Sequence, residues 1–548
     1  RPPTPRAAQA RRLDLFDHVD RRLFLSTLAG AGLAGTILPA EGTGFRGGRP
    51  FADRDRELAP EGNDLEADVL IVGGGLGGCA AALSALRRGH SVVLTEPTGW
   101  IGGQLTSQAV PPDEHPWIES MGAPASYHRL RRGIRTYYRR WYSLTEEART
   151  AEHLNPGNCG VSRICHEPRV ALSVLESMLQ PHRSRDALTL LLHHEATGAE
   201  MDGDRVRTVT LRDRRDGTGR TVRAPYVLDA TETGALLPLT GTEYVTGAEA
   251  RAETGELHAP RKARPDDWQA ITWCFAAEYR PGEDHTIERP ENYAFWRDFV
   301  PDLDPPWPGR LLSLTYSNPR TLEPRSLAFD PRPGAQTNAY NLWTYRRLLD
   351  PSLFRPDDRR GVTLTNWPQN DYFLRPVVGR PGAGADSNVE EALAEARGLA
   401  RSLLYWLQTE APRPEGGTGW PGLAPRGDLT GTEDGLAKRP YIRESRRIKP
   451  VFKVLEQHVG LEARMEATGE EEGEVTAARF SDSVGIGSYR IDLHPSTAGQ
   501  NYLDVSSLPF EIPLGALLPR RMQNLLPACK NVGTSHITNG CYRLHPVE

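Results

Sequence analysis

The stretch from Asp68 to Gly78, read together with the acid at Glu96, constrains the fold more tightly than any other part of the chain. Asp68-Val69-Leu70-Ile71-Val72 is an apolar run of the length that fills a parallel strand buried on both faces. Gly73, Gly75 and Gly78 follow in G-x-G-x-x-G spacing. The first glycine permits a tight turn, the second lets backbone amides approach a pyrophosphate, and the third brings the next helix close to the sheet. A helix from Cys79 to Arg88 would aim its positive end at those phosphates. A second strand, Ser91 to Thr95, delivers Glu96 eighteen residues beyond Gly78, where a carboxylate accepts hydrogen bonds from an adenosine ribose. Strand, glycine turn, helix, strand and acid in this order specify an adenine-dinucleotide site on a Rossmann-like α/β unit.

With 548 residues the chain has room for two or three domains. A formal net charge of -5 argues against a nucleic-acid footprint. Lysine occurs only at 262, 438, 449, 453 and 530, so arginine carries nearly all the positive charge. The six cysteines include no C-x-x-C pair, so the sequence predicts neither a disulfide framework nor a thioredoxin-type dithiol. Near the N-terminus, Asp20-Arg21-Arg22-Leu23-Phe24-Leu25 opens a small-residue apolar run to Leu38, followed by Pro39-Ala40. This resembles a twin-arginine export signal, which makes residues 1–62 a leader and polar linker and implies an exported, extracytoplasmic protein. The run is too short and too rich in Gly and Ala for a stable membrane span.

After Glu96, Gly99 to Ser107 reads as a glycine-hinged loop able to wrap a cofactor. Helices are predicted over Tyr127 to Tyr142 and Glu167 to Leu179, then a strand over Leu188 to His194. Arg205 to Arg212 and Arg220 to Arg223 flank a Gly- and Asp-rich turn and read as a hairpin. A strand at Tyr226 to Asp229 runs into Ala230-Thr231-Glu232-Thr233-Gly234. Residues 238–500 change to Pro- and Trp-punctuated loops around an amphipathic helix, Val389 to Leu407, and are expected to form an α+β substrate domain inserted into the first. The acidic run Glu470 to Glu474 reads as a solvated turn. Asn524 to Gly533 reads as a short strand returning to a glycine turn.

The fingerprint, the Gly102-Gly103 loop, Asp229-Ala230-Thr231, Arg443-Glu444-Ser445-Arg446-Arg447-Ile448 and the closing segment Asn524 to His545 together resemble the FAD-dependent oxidoreductase family of glutathione-reductase-like flavoproteins. The resemblance spans roughly residues 64–548. It implies a Rossmann-like FAD-binding domain, a parallel sheet plus β-meander, at 63–237, the inserted substrate or cap domain at 238–500, and a return to the FAD domain at 501–548. By the same resemblance Gly73, Gly75 and Gly78 hold the pyrophosphate, and Glu96 the adenosine ribose. Gly102, Gly103 and Gln104 run beside the pyrophosphate and ribityl chain, and Ala196 sits by the adenine. Asp229, Ala230 and Thr231 return past the cofactor, and Asn531 lies at the flavin end. For Asp229, Thr231 and Asn531 the residues alone also allow a plain turn role. The family continues beyond its Arg-x-x-Pro-like segment, here Arg543-Leu544-His545-Pro546, into a small-residue helix facing the flavin; this chain stops at Glu548.

A flavin needs a substrate held at its reactive atom and one proton managed, a task that suits histidine. His536, His545 and His494 are the candidates, and Arg446 or Arg447 could clamp a carboxylate or an oxyanion. Trp367, Tyr372 and Trp406 read as core or rim aromatics, with a sugar or flat ligand as the alternative. No ligand set with zinc spacing accompanies Cys159, Cys165 and His166, so no metal is expected. The expected partners are a small-molecule substrate and an electron acceptor that no motif identifies, without nucleic acid or stable membrane insertion. Two alternatives remain at this level: an NAD(P)-linked oxidoreductase, and an exported non-catalytic binding protein on a degenerate flavoprotein fold.

Overall fold

A short strand β1 (Asp64–Glu66) leads into β2 (Val69–Val72), and the glycine turn then feeds helix α1 (Leu76–Arg87) and strand β3 (Val92–Glu96). The computed structural model describes residues 64–355, 360–378 and 387–548, so the expected leader at 1–62 lies outside the described residues. In β2 and β3, Ile71 and Leu94 pack on one face while Leu70, Val72 and Val93 pack on the other. That is the period of two required of a sheet covered on both sides. Helix α1 buries Leu76, Cys79, Ala82, Leu83 and Leu86, one stripe at helical spacing.

The helix starts three residues earlier than the sequence predicts. Its low-propensity glycines belong to the first turn because tertiary packing demands them there: a Cβ on Gly77 would lie 1.8 Å from the Ala528 carbonyl oxygen, and one on Gly78 would lie 2.0 Å from that of Gly73.

Helices α2 (Ala125–Trp141) and α3 (Pro168–Arg183) lie between β3 and the next strand, β4 (Leu188–Leu192). The expected strand to His194 breaks at His193, whose φ of 62° turns the chain out of the parallel sheet. There β5 (His194–Asp202), β6 (Arg205–Asp213) and β7 (Gly219–Arg223) form an antiparallel meander, with β1 pairing parallel to β7. Strand β8 (Tyr226–Asp229) returns to the parallel sheet beside β2.

The middle of the chain builds an antiparallel sheet in the order β10-β11-β9-β12 from β9 (Phe275–Tyr279), β10 (Arg347–Leu349), β11 (Val362–Thr365) and β12 (Leu423–Pro425). Helix α4 (Ser387–Thr409) buries Ala396, Leu399, Leu403 and Leu407 as the periodicity predicts, within a separate tryptophan-rich core. A two-stranded ribbon, β13 (Ile491–Leu493) with β14 (Leu503–Val505), precedes β15 (Leu525–Pro527) and α5 (His536–Tyr542). Strand β15 pairs with β8, which completes a parallel sheet of order β15-β8-β2-β3-β4. The order reverses between β2 and β8, and in open α/β sheets ligands bind outside the carboxyl ends of strands at that switch point. No helix among the described residues is long and apolar enough to cross a membrane.

The cysteines add one feature that their spacing did not announce. Cys159 and Cys165 form a disulfide, because Asn155 Oδ1 accepts from Cys165 N and Gly157 N donates to Cys165 O, folding the loop back on itself. It is a single local staple and not a framework.

Candidate functional site

At the switch point the turn after β2 and the turn after β8 touch. Gly73 has φ 109°, and a Cβ there would sit 2.3 Å from the Ala230 carbonyl oxygen, so Ala230 and Thr231 press directly on the glycine turn. Gly75 is more open, its nearest neighbour being Glu232 Oε1 at 3.2 Å from an added Cβ. Gly75 caps α1 without a side-chain hydrogen bond, so no side chain claims the first-turn amides. Fully buried Lys530 pairs with Glu232 and, at 3.3 Å, with Glu548.

The expected dinucleotide residues other than Ala196 gather around this turn. Glu96 ends β3, and its Oε1 accepts from Thr98 N at 2.9 Å and Thr98 Oγ1 at 2.7 Å. Burial pushes the Glu96 carboxyl up to about 7, against the lowering effect of Thr98 and Arg439. Gly102 N donates to Gly74 O at 2.7 Å, which ties the second glycine loop to the first. Gln104 is buried, with Nε2 donating to Arg543 O at 3.0 Å and Oε1 without a partner. Ala196 stands on β5 and packs against the cluster containing Leu70 and Val93.

Asp229 and Asn531 have visible turn work. Asp229 accepts from Thr231 N, Thr231 Oγ1 and Leu236 N, and Asn531 Nδ2 donates to Asp229 O at 3.0 Å. The donor set fits FAD. It combines a glycine cradle closed by backbone on one side and open at Gly75, helix amides without a side-chain cap, and a carboxylate at the end of β3.

The Gln104 to Arg543 bond connects this crevice to a cavity of about 540 Å³, which Arg543 also lines. Of the histidine candidates, His494 lies on the cavity wall, just after β13. Its Nδ1 donates to Asp371 Oδ2 at 2.6 Å, and its Nε2 lies 3.7 Å from Asp492 Oδ2, so the ring stands between two carboxylates. Asp371 also meets Arg443 at 3.2 Å and accepts from Thr272; despite its burial, these cations and donors hold its carboxyl below the usual range.

His545 lies behind the wall. Its Nδ1 accepts from Asp113 N at 3.2 Å, Nε2 has no partner, and burial pushes the ring down to about 3, so it stays neutral. His536 and Arg447 sit together elsewhere, in a buried network. His536 Nδ1 meets Glu444 Oε1 at 2.9 Å, and Arg447 pairs with Glu444 and, at 3.2 Å, with Glu249. Burial opposes the charge on His536, but Glu444 raises its pKa on balance. Neither residue lines the cavity. Arg446 instead donates to the Thr233 carbonyl. Trp367 lines the cavity, while Tyr372 and Trp406 belong to the tryptophan-rich core.

Sequence reasoning missed Asp371, Asp113, Arg346 and Lys530 as site residues. The first three come from separate segments that carry no periodic pattern, Asp371 from a two-residue strand. Lys530 carried a signal, as one of five lysines in a chain that otherwise uses arginine.

Residues 68–548 match a family model described as FAD dependent oxidoreductase. Among curated proteins, cinnamate reductase from Clostridium sporogenes is 40% identical over 62 residues, covering 11% of this chain and 9% of that protein. The FAD-dependent monooxygenase atnJ from an Arthrinium species is 43% identical over 54 residues, covering 10% of this chain and 13% of that protein. The matches thus span about a tenth of the length of these relatives. Among solved structures, the flavin-dependent monooxygenase PieE in complex with FAD and substrate aligns over 71% of this chain and 51% of its own, at 16% identity and a TM-score of 0.27.

Proposed function

The chain belongs to the FAD dependent oxidoreductase family, and from that premise we propose that it oxidises or reduces a small organic substrate in the cavity beside Arg543, by hydride transfer to or from FAD. The observation that carries this reading is the bond between Gln104 and Arg543, which joins the dinucleotide crevice to a cavity whose wall holds a histidine, His494, between two carboxylates. FAD supplies the two-electron chemistry when bound.

The chain's own residues do the rest. The glycine turn and the α1 amides would hold the diphosphate, and Glu96 would accept from the adenosine ribose. His494 Nε2 takes the proton that leaves an oxidised substrate or returns it in the reverse direction, while Asp371 orients the ring and stabilises its charged form. His545 is a positioning residue: its neutral ring is held by the Asp113 amide and keeps one nitrogen for a further hydrogen bond.

Anaerobic mixing of the FAD-loaded chain with candidate substrates, followed by flavin bleaching, tests this reading. His494→Gln is expected to slow bleaching at least a hundredfold with flavin content unchanged. Equal rates in the two proteins would remove His494 from the chemistry.

We further propose that the protein is exported. The twin arginines Arg21 and Arg22 support this, as does the Cys159–Cys165 disulfide, since such bonds persist in oxidising compartments. Replacement of both arginines by lysine is expected to retain the protein in the cytoplasmic fraction; unchanged fractionation would refute export by this route.

A further inference from the structure

The charge on the cavity wall and the donors left over there point to a class of substrate, an inference that rests on the cavity being the substrate site. Six arginines line the cavity against three carboxylates, Asp113, Asp492 and Asp504. Arg346 meets Asp113 at 3.1 Å and Arg543 meets Asp492 at 3.1 Å. Asp504 is shared by Arg320 and Arg490, and Arg443 turns to Asp371 behind the wall. Arg325 is exposed, donates to the Tyr316 hydroxyl and, among the described residues, meets no carboxylate. The wall therefore carries an excess of positive charge.

A second observation is independent of that count. Five polar atoms of the lining residues are buried without a partner: Nε of Arg346, Arg443 and Arg543, Nδ2 of Asn366 and Nε1 of Trp367. All five are donors, and each residue is more than nine-tenths buried. Buried donors call for acceptors. The arginines also converge. Tyr441 accepts from Arg543 Nη1 at 3.1 Å and carries Arg443 over its ring at 5.0 Å. His494 stands between Asp371 and Asp492, the partners of Arg443 and Arg543.

We propose that the cavity takes a small organic carboxylate, its oxygens on the donors of Arg346, Arg443 and Arg543 and its body against the tyrosines of the wall. Planar guanidinium forks match a planar carboxylate in geometry as well as charge. The acid group so held lies beside His494, which places the neighbouring carbons of the substrate within reach of the proton acceptor.

The FAD-loaded chain is titrated calorimetrically with succinate, benzoate and gluconate, each against its uncharged amide, and with inorganic phosphate. At least one carboxylate is expected to bind at least tenfold tighter than its amide. Arg443→Lys, which keeps the charge but loses the fork, is expected to weaken it about tenfold. Arg325→Gln, a change on the exposed rim that leaves folding intact, is expected to weaken it about threefold. Carboxylates that bind no tighter than their amides would overturn the proposal, as would phosphate binding tighter than every carboxylate. The visible spectrum separates this from the wider reading: carboxylate binding to a chain that holds no flavin would sink the oxidoreductase function and leave the cavity's assignment standing, and a flavin-loaded chain indifferent to carboxylates would do the reverse.

Discussion

Replacing Glu96 by Gln should change the protein in opposite senses with and without its cofactor. In the flavin-free chain the carboxyl is 4% exposed, and burial lifts it from its ordinary 4.5 to about 7. At about 1.4 kcal/mol per pH unit, the gap corresponds to about 3 kcal/mol, of which the Thr98 bonds and Arg439 have already been deducted. Below pH 4.5 the group is neutral in the folded and unfolded chain and costs nothing; above pH 7 it is ionised in both, and the folded state bears the full cost. Stability should therefore fall relative to Glu96→Gln as pH rises from 4.5 to 7, by about 3 kcal/mol in total.

FAD reverses the sense of the effect. Ribose hydroxyls donate to the ionised carboxylate, so FAD affinity of the native chain should tighten as pH rises toward 7, by up to about tenfold per unit, and flatten above it. The Gln variant should show no such slope. Urea midpoints of the stripped chains at several pH values, and FAD titrations at the same values, measure both effects. Parallel curves for the native chain and Glu96→Gln would refute the reasoning, because they would mean that the carboxyl neither bears a burial cost nor touches the cofactor.

Other perturbations have equally definite outcomes. Gly77→Ala puts a Cβ 1.8 Å from the Ala528 carbonyl oxygen, with backbone on both sides; it should cost more than the about 1–3 kcal/mol of ordinary overpacking and lower the melting temperature sharply. Gly75→Ala meets only Glu232 Oε1 at 3.2 Å, so it should melt like the native chain yet bind FAD at least about tenfold more weakly, as titration would show. Glu444→Gln strands Arg447 and His536 without their shared buried carboxylate and should cost about 3–5 kcal/mol, read as a lower urea midpoint. Reduction of Cys159–Cys165 opens a short loop and should cost about 2 kcal/mol, with Cys159→Ser matching the reduced protein in the same urea assay.

The dinucleotide half of the fold was legible because its signals are local. An apolar strand, glycines at fixed offsets and an acid at the end of the next strand each act within a few residues, and the chain places Gly73, Gly75, Glu96 and Gln104 around one crevice. The start of α1 was misjudged for a tertiary reason, since glycines that look like turn residues are there to admit the Ala528 and Gly73 carbonyls. The cavity was largely illegible. Asp113 meets Arg346 across 233 residues of chain, Asp371 and Arg443 stand on two further segments, and no periodicity marks residues that only folding brings together. His494 could be named from its chemistry, but its partner Asp371 could not. His536 and Arg447 stood in segments shared with the family, yet the fold pairs them with Glu444 away from the cavity.

The most direct test is to incubate the purified chain with excess FAD, remove unbound cofactor, and measure bound flavin per chain beside Gly78→Val, in which an added side chain would strike the Gly73 carbonyl oxygen. Flavin retained by the native chain at one per molecule, and lost in the variant, is the expected result. A native chain that melts cooperatively yet holds no flavin would contradict the assignment of the crevice between β2 and β8 to FAD.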